Sequence, residues 1–310
     1  MNKPARAIVA DFSLTPLTVV APTVSVVMVV YRTGEELQES IDSVLGDPLV
    51  DELVIVDNGS SDAMAERLRT LGRTDARVGL IQGQGNVGFA TAANLGARAA
   101  RGDHLIFLNP DAFLQDGCVA SLTANLADRP SPSLVGACIL DPDGTEQRGG
   151  RRGEVNAWST LLSLSQATQK IPSLARFEIH REGEAMPSDL VDMPTISGAC
   201  FAMRRKDFDL LGGFDEGYFL HVEDIDLCWR ARRDGGTVFF DPHARVVHLG
   251  HTSQSHPLKV EMHKGLGLVR FFLKRAEGPP AYLLALAMAP LILITAVARP
   301  LLWRLRGHRA

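Results

Sequence analysis

Residues 24–30 read VSVVMVV, a nearly unbroken run of β-branched side chains with no apolar/polar alternation. A strand of this kind is buried on both faces, so other layers of structure must cover it above and below. The chain meets that demand by alternating helix and strand signals. A helical pattern over 33–45 sets Leu37, Ile41, Val44 and Leu45 on one face. ELVIVD (52–57) reads as a second strand, and the turn NGSSD (58–62) offers Ser60 or Ser61 as a helix cap. VGLIQ (78–82) is a third strand, NVGFATAANLGARAA (86–100) a small-residue helix suited to close packing, and HLIFL (104–108) a fourth strand. Such alternation predicts an α/β fold, a largely parallel sheet flanked by helices.

A helix near 114–126, a strand LVGACIL (134–140) and a D-P-D-G turn at 141–144 follow. From Gln147 to about Pro187 the periodicity weakens, which predicts a mobile or partly helical excursion and a candidate active-site flap. Order returns with TISGACFAMRR (195–205), GGFDEGYF (212–219) and the amphipathic HVEDIDLCWRARRDGG (221–236). TVFFDPHARVVHLGH (237–251) reads as two short strands with a turn at Asp241-Pro242. The 310 residues suffice for one large α/β domain or two small ones, and no internal repeat is present.

The net charge of -4 and the pI near 6.1 exclude the basic excess of a nucleic-acid binder. The four cysteines (Cys118, Cys138, Cys200, Cys228) form no C-x-x-C and lie among apolar neighbours. They read as buried reduced thiols, in keeping with a cytoplasmic setting. Residues 1–22 read as an N-terminal extension; Asp11 interrupts their apolar run, so they do not read as a secretory signal. Residues 258–310 form a helical C-terminal region. Within it Ala281–Ala298 carries no charge for 18 residues, has Pro290 in its middle, and precedes the basic RPLLWRLRGHR. That length is at the lower edge of a membrane span. Basic residues on both sides leave the crossing direction open. The first reading is a helix or helix pair lying in the interface with Trp303 at headgroup depth; a true span and a buried core helix are the alternatives.

Ligands of parallel α/β sheets bind at the carboxyl ends of the strands. Asp57, Asn86 and Asp111 fall at such ends. Each is also an ordinary turn residue, but together in one sheet they outline a nucleotide site. A carboxylate at one strand end can accept hydrogen bonds from a base or ribose, and one at another can hold a divalent cation on a diphosphate. His221–Asp226 (HVEDID) opens a helix. Its acids either complement the helix dipole, with Arg230 pairing Asp226, or supply a general base, since adjacent carboxylates repel and one is raised in pKa. In HLGHTSQSH (248–256), His248 and His251 lack the companions of a closed zinc site, whereas one histidine could join Asp111 on a cation.

The stretches VSVVMVVYR, VIVDNGSSD, NVGFATAANLG, FLNPDAFL, SGACFAMRR, GGFDEGYFLHVEDIDLCWR and VVHLGH occur in that order over about 23–255. They resemble the inverting glycosyltransferase family 2, and within it the bacterial rhamnosyltransferase-like branch. The resemblance implies the GT-A fold over 23–257, a nucleotide-diphosphate sugar donor, and Mg²⁺ or Mn²⁺. It places Tyr31, Asp57, Asn86, Gly88, Asn109 and Asp111 at the donor, with Asp57 at the base or ribose. It places Asp111 and His248 at the metal, Asp224 or Glu223 as catalytic base, and His221 and Asp226 as acceptor or orienting residues. Asn109 stands where the wider family has the first acid of its D-x-D, a departure that the rhamnosyltransferase-like members share.

The implied reaction is an inverting displacement, with dTDP-L-rhamnose as donor and a lipid-linked or polysaccharide acceptor. It would serve cell-envelope glycan synthesis at the cytoplasmic face of the membrane. The leaving diphosphate would draw on an arginine such as Arg151 or Arg152. A sugar nucleotidylyltransferase should open with a Gly-rich loop, which VVYRTGEE lacks, and a processive synthase should show several spans and Q-x-x-R-W. The remaining alternative is a catalytically weak nucleotide-sugar-binding subunit, suggested by Asn109 alone.

Overall fold

The computed structural model describes residues 22–250, 252 and 256–305, with the backbone alone over 299–305. The extension 1–21, His251, the Trp303 side chain and the basic tail beyond 305 lie outside the described residues. The first half runs β1 (Val24–Val30), α1 (Glu36–Leu45), β2 (Glu52–Asp57), α2 (Asp62–Thr74), β3 (Val78–Ile81), α3 (Phe89–Ala99), β4 (His104–Leu108), β5 (Ala112–Leu114) and α4 (Cys118–Ala124). After β6 (Ser133–Leu140) come β7 (Arg151–Arg152), α5 (Ala157–Leu164), α6 (Ala167–Lys170) and a 3-10 turn over Pro172–Phe177. Short strands β8 (Val191–Asp192) and β9 (Thr195–Ile196) lead to β10 (Cys200–Arg204), α7 (Arg205–Leu210), α8 (Glu223–Arg233) and β11 (Thr237–His248). Two long helices, α9 (Pro257–Arg275) and α10 (Gly278–Leu305), complete the described chain.

The main sheet has the order β3-β2-β1-β4-β10-β6-β11-β5, with β8 added to β11. The strands β3, β2, β1 and β4 are mutually parallel, β10 is antiparallel to both neighbours, and β6 and β11 are again parallel. Every residue of β1 is buried, as its uninterrupted apolar run demands. Successive side chains enter opposite layers: Val26, Met28 and Val30 join one core, Val27 and Val29 the other. The small residues of α3 let it lie close on the sheet, since a Cβ on Gly96 would stand 2.5 Å from Val27 Cγ1. All four cysteines are buried free thiols.

Two expectations are refined. The two strands read over 237–251 are one strand, β11, whose pairing with β6 skips from Asp241 to Arg245, so Asp241-Pro242 makes a bulge. The weakly patterned excursion is largely ordered into α5, α6 and the 3-10 turn. Its strand β7 pairs with β9 in a separate two-stranded sheet.

A third apolar cluster joins α5, α8, α9 and α10 through residues including Val222, Ile225, Phe271, Phe272, Met288 and Ile292. α10 is one continuous helix through Pro290. Ala285, Met288, Ile292 and Ala296 form its buried stripe, while Leu283, Leu284 and Ile294 on other faces are 64%, 60% and 64% exposed. The helix is long and apolar enough to cross a membrane, but one stripe is already packed on the protein.

Candidate active site

Tyr31, Asp57, Asn86 and Gly88, which the resemblance assigns to the donor, converge at the carboxyl ends of β1 and β2 and the start of α3. Asp57, the last residue of β2, accepts hydrogen bonds at Oδ1 from the amides of Gly59 (3.1 Å) and Ser60 (2.8 Å). Its Oδ2 accepts one from Gln82 Nε2 at 2.8 Å. Asn58 ties this turn to the next: its Nδ2 donates to Asn86 Oδ1 and to the Gly88 carbonyl, both at 3.1 Å. Tyr31 lies beside Gly59, with ring carbons 3.4 and 3.5 Å from where a Cβ would stand. Gly88 has φ +85°, and a Cβ there would fall 2.7 Å from the Phe219 carbonyl oxygen. Glycine is required at that point because both backbone angle and space exclude a side chain. The Phe89 amide donates to that same carbonyl at 2.8 Å, joining the start of α3 to the loop that leads into α8.

The NPD segment, Asn109-Pro110-Asp111, is a turn that gathers polar side chains. The Ala112 amide donates to the Asn109 carbonyl at 3.2 Å, closing the turn. Asp111 is buried; its Oδ2 accepts from Thr252 Oγ1 at 2.8 Å, and its Oδ1 lies 3.2 Å from His248 Nε2. Burial alone would raise the Asp111 pKa, but hydrogen bonding and charge from His248, together with Thr252, more than offset it and hold it below the ordinary 3.8. The Asn109 amide nitrogen lies 3.3 Å from the same His248 Nε2. Among the described residues no group of three or more His, Cys, Asp or Glu forms a cation site. Asp111 and His248 offer two donors, which suits a cation that draws its other ligands from a diphosphate and water.

A backbone relay joins this corner to α8. The Asn109 amide donates to the Ala199 carbonyl at 2.9 Å, and the adjoining Gly198 amide donates to Asp224 Oδ2 at 3.1 Å. Asp224 also accepts from the Ile225 amide at 2.8 Å and from the Arg152 guanidinium. Despite burial, that guanidinium holds the Asp224 carboxyl below its ordinary value. Glu223 differs. Burial, then the neighbouring Asp224 charge, pushes its pKa up to about 8, and its buried Oε2 has no hydrogen-bond partner among the described residues. The two residues before it, His221 (φ 65°) and Val222 (φ 74°), are both left-handed. For a β-branched residue this conformation is strained, at a cost of roughly 1–3 kcal/mol. Helix α9 supports the strained pair: Gly267 passes so close that a Cβ would meet Val222 Cγ2 at 3.0 Å and the His221 carbonyl at 3.2 Å.

Asp226, expected as an acceptor or orienting residue, is tied into the framework of α8 and α9. It is fully buried and accepts from Arg230 Nε (2.7 Å), Tyr218 Oη (3.2 Å) and Lys274 Nζ of α9 (2.7 Å). It therefore ties α8 to α9. Arg151 is likewise committed: it is buried and forked onto Glu146 at 2.7 and 2.6 Å. Of the two arginines proposed for the leaving group, only Arg152 lies beside a site carboxylate. Asn58, Gln82, Gln147 and Thr252 carry no sequence signal of their own, since single polar residues in turns are common.

The chain matches Glycosyl transferase family 2 over residues 25–212, more than half its length. It belongs to that family. The match includes Asp57, Asn86, Gly88 and Asp111, and the protein is a glycosyltransferase. A relative in Mycobacterium tuberculosis, N-acetylglucosaminyl-diphospho-decaprenol L-rhamnosyltransferase, is 28% identical over 72% of this chain and 75% of its own. The polypeptide N-acetylgalactosaminyltransferase 12 of Mus musculus is 27% identical over 74% of this chain and 40% of its own. In fold, the glycosyltransferase is similar to GalNAc-T7 solved with UDP, GalNAc and Mn2+ (TM-score 0.60, 22% identity, 82% of this chain). It spans 48% of that chain's length. It is also similar to the mannosyltransferase PcManGT of Pyrobaculum calidifontis with GDP-Man and Mn2+ (TM-score 0.55, 19% identity, 93% of this chain and 76% of that one). The fold is GT-A, as the sequence resemblance implied.

Proposed function

We propose that this glycosyltransferase moves L-rhamnose from dTDP-L-rhamnose, with inversion, to a lipid-linked or polysaccharide acceptor in cell-envelope glycan synthesis. The observation that carries the reading is the joining of two corners: Asp111 and His248 stand one backbone relay away from Asp224. A cation-binding pair beside a base is what displacement of a nucleoside diphosphate by a hydroxyl requires. The choice of sugar and acceptor is supported by the mycobacterial relative, which is named for both and aligns over most of each chain.

Asp111 and His248 would hold a divalent cation, Mg²⁺ or Mn²⁺, which when bound neutralises charge on the leaving diphosphate. Asp224 is the base. Arg152 holds its carboxyl low and ionised, whereas burial and the Asp224 charge raise the proton affinity of Glu223. Asp224 takes the proton of the acceptor hydroxyl, and that oxygen bonds to the anomeric carbon. The bond from carbon to the diphosphate oxygen breaks on the opposite face, and the anomeric centre inverts. Arg152 pairs with Asp224 before the donor arrives; the diphosphate offers a competing anion, and release of Arg152 toward it would make Asp224 the stronger base. Tyr31, Asp57, Asn86 and Gly88 shape the nucleoside end.

The glycosyltransferase works at the cytoplasmic face of the membrane in this reading, with the exposed apolar side of α10 lying in the interface. The open leucines of α10 support it, as does the lipid-linked substrate in the relative's name. Mixing the purified protein with a panel of nucleotide sugars in Mn²⁺ tests the donor by thermal shift. At 100 times its dissociation constant a bound donor stabilises the fold by about 2.7 kcal/mol. The expected hit is dTDP-L-rhamnose, followed by its transfer to a polyprenyl-diphosphate sugar. Stabilisation and transfer with a different donor would overturn the rhamnose assignment.

A further inference from the structure

Gln147 follows the D-P-D-G turn after β6, where its amide nitrogen donates to the Ile139 carbonyl at 2.9 Å. Its side chain bridges three groups. Nε2 donates to Asp141 Oδ1 at 2.8 Å and to the carbonyl of His248 itself at 2.9 Å. Both partners are acceptors only, so the nitrogen end of the amide must face them and the oxygen end must face away. That oxygen, Oε1, lies 2.7 Å from His248 Nδ1. An amide oxygen can only accept, so Nδ1 carries the proton. In the neutral imidazole the lone pair is then left on Nε2, the atom 3.2 Å from Asp111 Oδ1 and 3.3 Å from the Asn109 amide nitrogen; the hydrogen bond and charge that lower the Asp111 pKa belong to the ring with both nitrogens protonated.

We propose that Gln147 is a positioning residue that selects the Nδ1–H tautomer of His248 and so aims its Nε2 lone pair, together with Asp111 Oδ1, at one cation. The proposal rests on the cation reading of Asp111 and His248 given above. Histidine ligands commonly donate their second ring N–H to a fixed acceptor, which sets ring orientation and basicity. Gln147 is that acceptor. The double hold on Asp141 and on the His248 backbone fixes the direction of the amide, so it cannot turn over and offer Nδ1 a donor. Asn109 then has a defined place: its amide can donate to the Nε2 lone pair until a cation takes it. A carboxylate at position 109 would face the same lone pair with a second negative charge and no donor.

The test uses the full chain labelled with ¹⁵N, free of metal. Long-range ¹H–¹⁵N spectra report the tautomer of each histidine ring, and His248→Ala identifies the signal of His248. The expected result is an Nδ1–H pattern in the wild type. In Gln147→Met, which keeps length and removes the acceptor, the pattern should become mixed or Nε2–H. Gln147→Glu combined with Asp141→Asn again presents an oxygen to Nδ1 and should restore it. Binding of Mn²⁺ in the presence of dTDP, followed by electron paramagnetic resonance, should weaken by about 10–100-fold in Gln147→Met and recover in the double variant. An Nε2–H wild type, or a tautomer unmoved in Gln147→Met, would overturn the role of Gln147 whatever the metal does. A tautomer that moves as expected while His248→Ala binds Mn²⁺ as tightly as the wild type would overturn the cation role of His248 itself.

Discussion

The NPD corner and the start of α8 hold carboxylates by opposite means. At the NPD corner, Asp111 is held by His248 and Thr252, with Asn109 beside the same His248 nitrogen, after a fully buried strand. At the start of α8, Glu223 and Asp224 follow two left-handed residues braced by an apolar cluster and by α9. The first arrangement keeps one acid ionised. The second splits two neighbouring acids, one lowered by Arg152 and one raised by burial. In the proposed cation role a carboxylate must stay ionised, which hydrogen-bond donors favour. A base needs a carboxylate whose proton affinity can change during the reaction, which calls for a low-dielectric setting and a movable counter-charge.

The largest effect should come from the polar corner. Asp111→Asn should bring transfer below detection and weaken donor binding in Mn²⁺, with an unchanged unfolding midpoint. Wild-type transfer by that variant would remove Asp111 from the site. At the α8 corner, Asp224→Asn should cut kcat by about 10²- to 10⁴-fold while donor affinity stays nearly intact, because loss of a base acts on the transition state. If Glu223→Gln is the dead variant instead, the two acids exchange roles.

Gly267→Leu asks whether α9 sets the geometry of α8. A side chain there would press on Val222 and the His221 carbonyl. Displacement of the base by an ångström should lower kcat by on the order of 10²-fold, with donor affinity unaffected. Normal turnover would mean that the strained pair holds itself. The smallest effect should be seen in Glu223→Gln, as a change of pH dependence. Glu223 has its pKa raised from 4.5 to about 8 by burial and by Asp224. Its contribution is therefore full below pH 4.5 and is lost as pH rises through 8. The variant should lack that decline in urea midpoints across the interval. Asp224, lowered in pKa, contributes stability that acid removes, so Asp224→Asn should flatten the acid limb instead.

The sequence by itself determined the parallel half of the sheet. The runs at 24–30, 52–57 and 104–108 are the strands β1, β2 and β4 to the residue, because runs this short, apolar and rich in β-branched or aromatic residues suit a strand buried on both faces. It also determined the strand-end position of Asp57 and Asp111, the amphipathic helix after His221, and the family. What only the tertiary structure decided depends on partners distant in the chain. Asp226 and Arg151 look like Asp224 and Arg152 in composition, yet one of each pair is consumed in the framework, by Lys274 and by Glu146 respectively. Which neighbour is consumed depends on the rotation of α8 against α9 and of β7 against the turn after β6. The division of labour between Glu223 and Asp224 was open in sequence for the same reason: proton affinity follows burial and counter-charge, and Arg152, which supplies that charge, lies 72 residues away. The tautomer of His248 depends on Gln147, 101 residues before it. Local patterns encode which face of an element is buried, whereas the polar partner waiting at that face is chosen by how the elements pack.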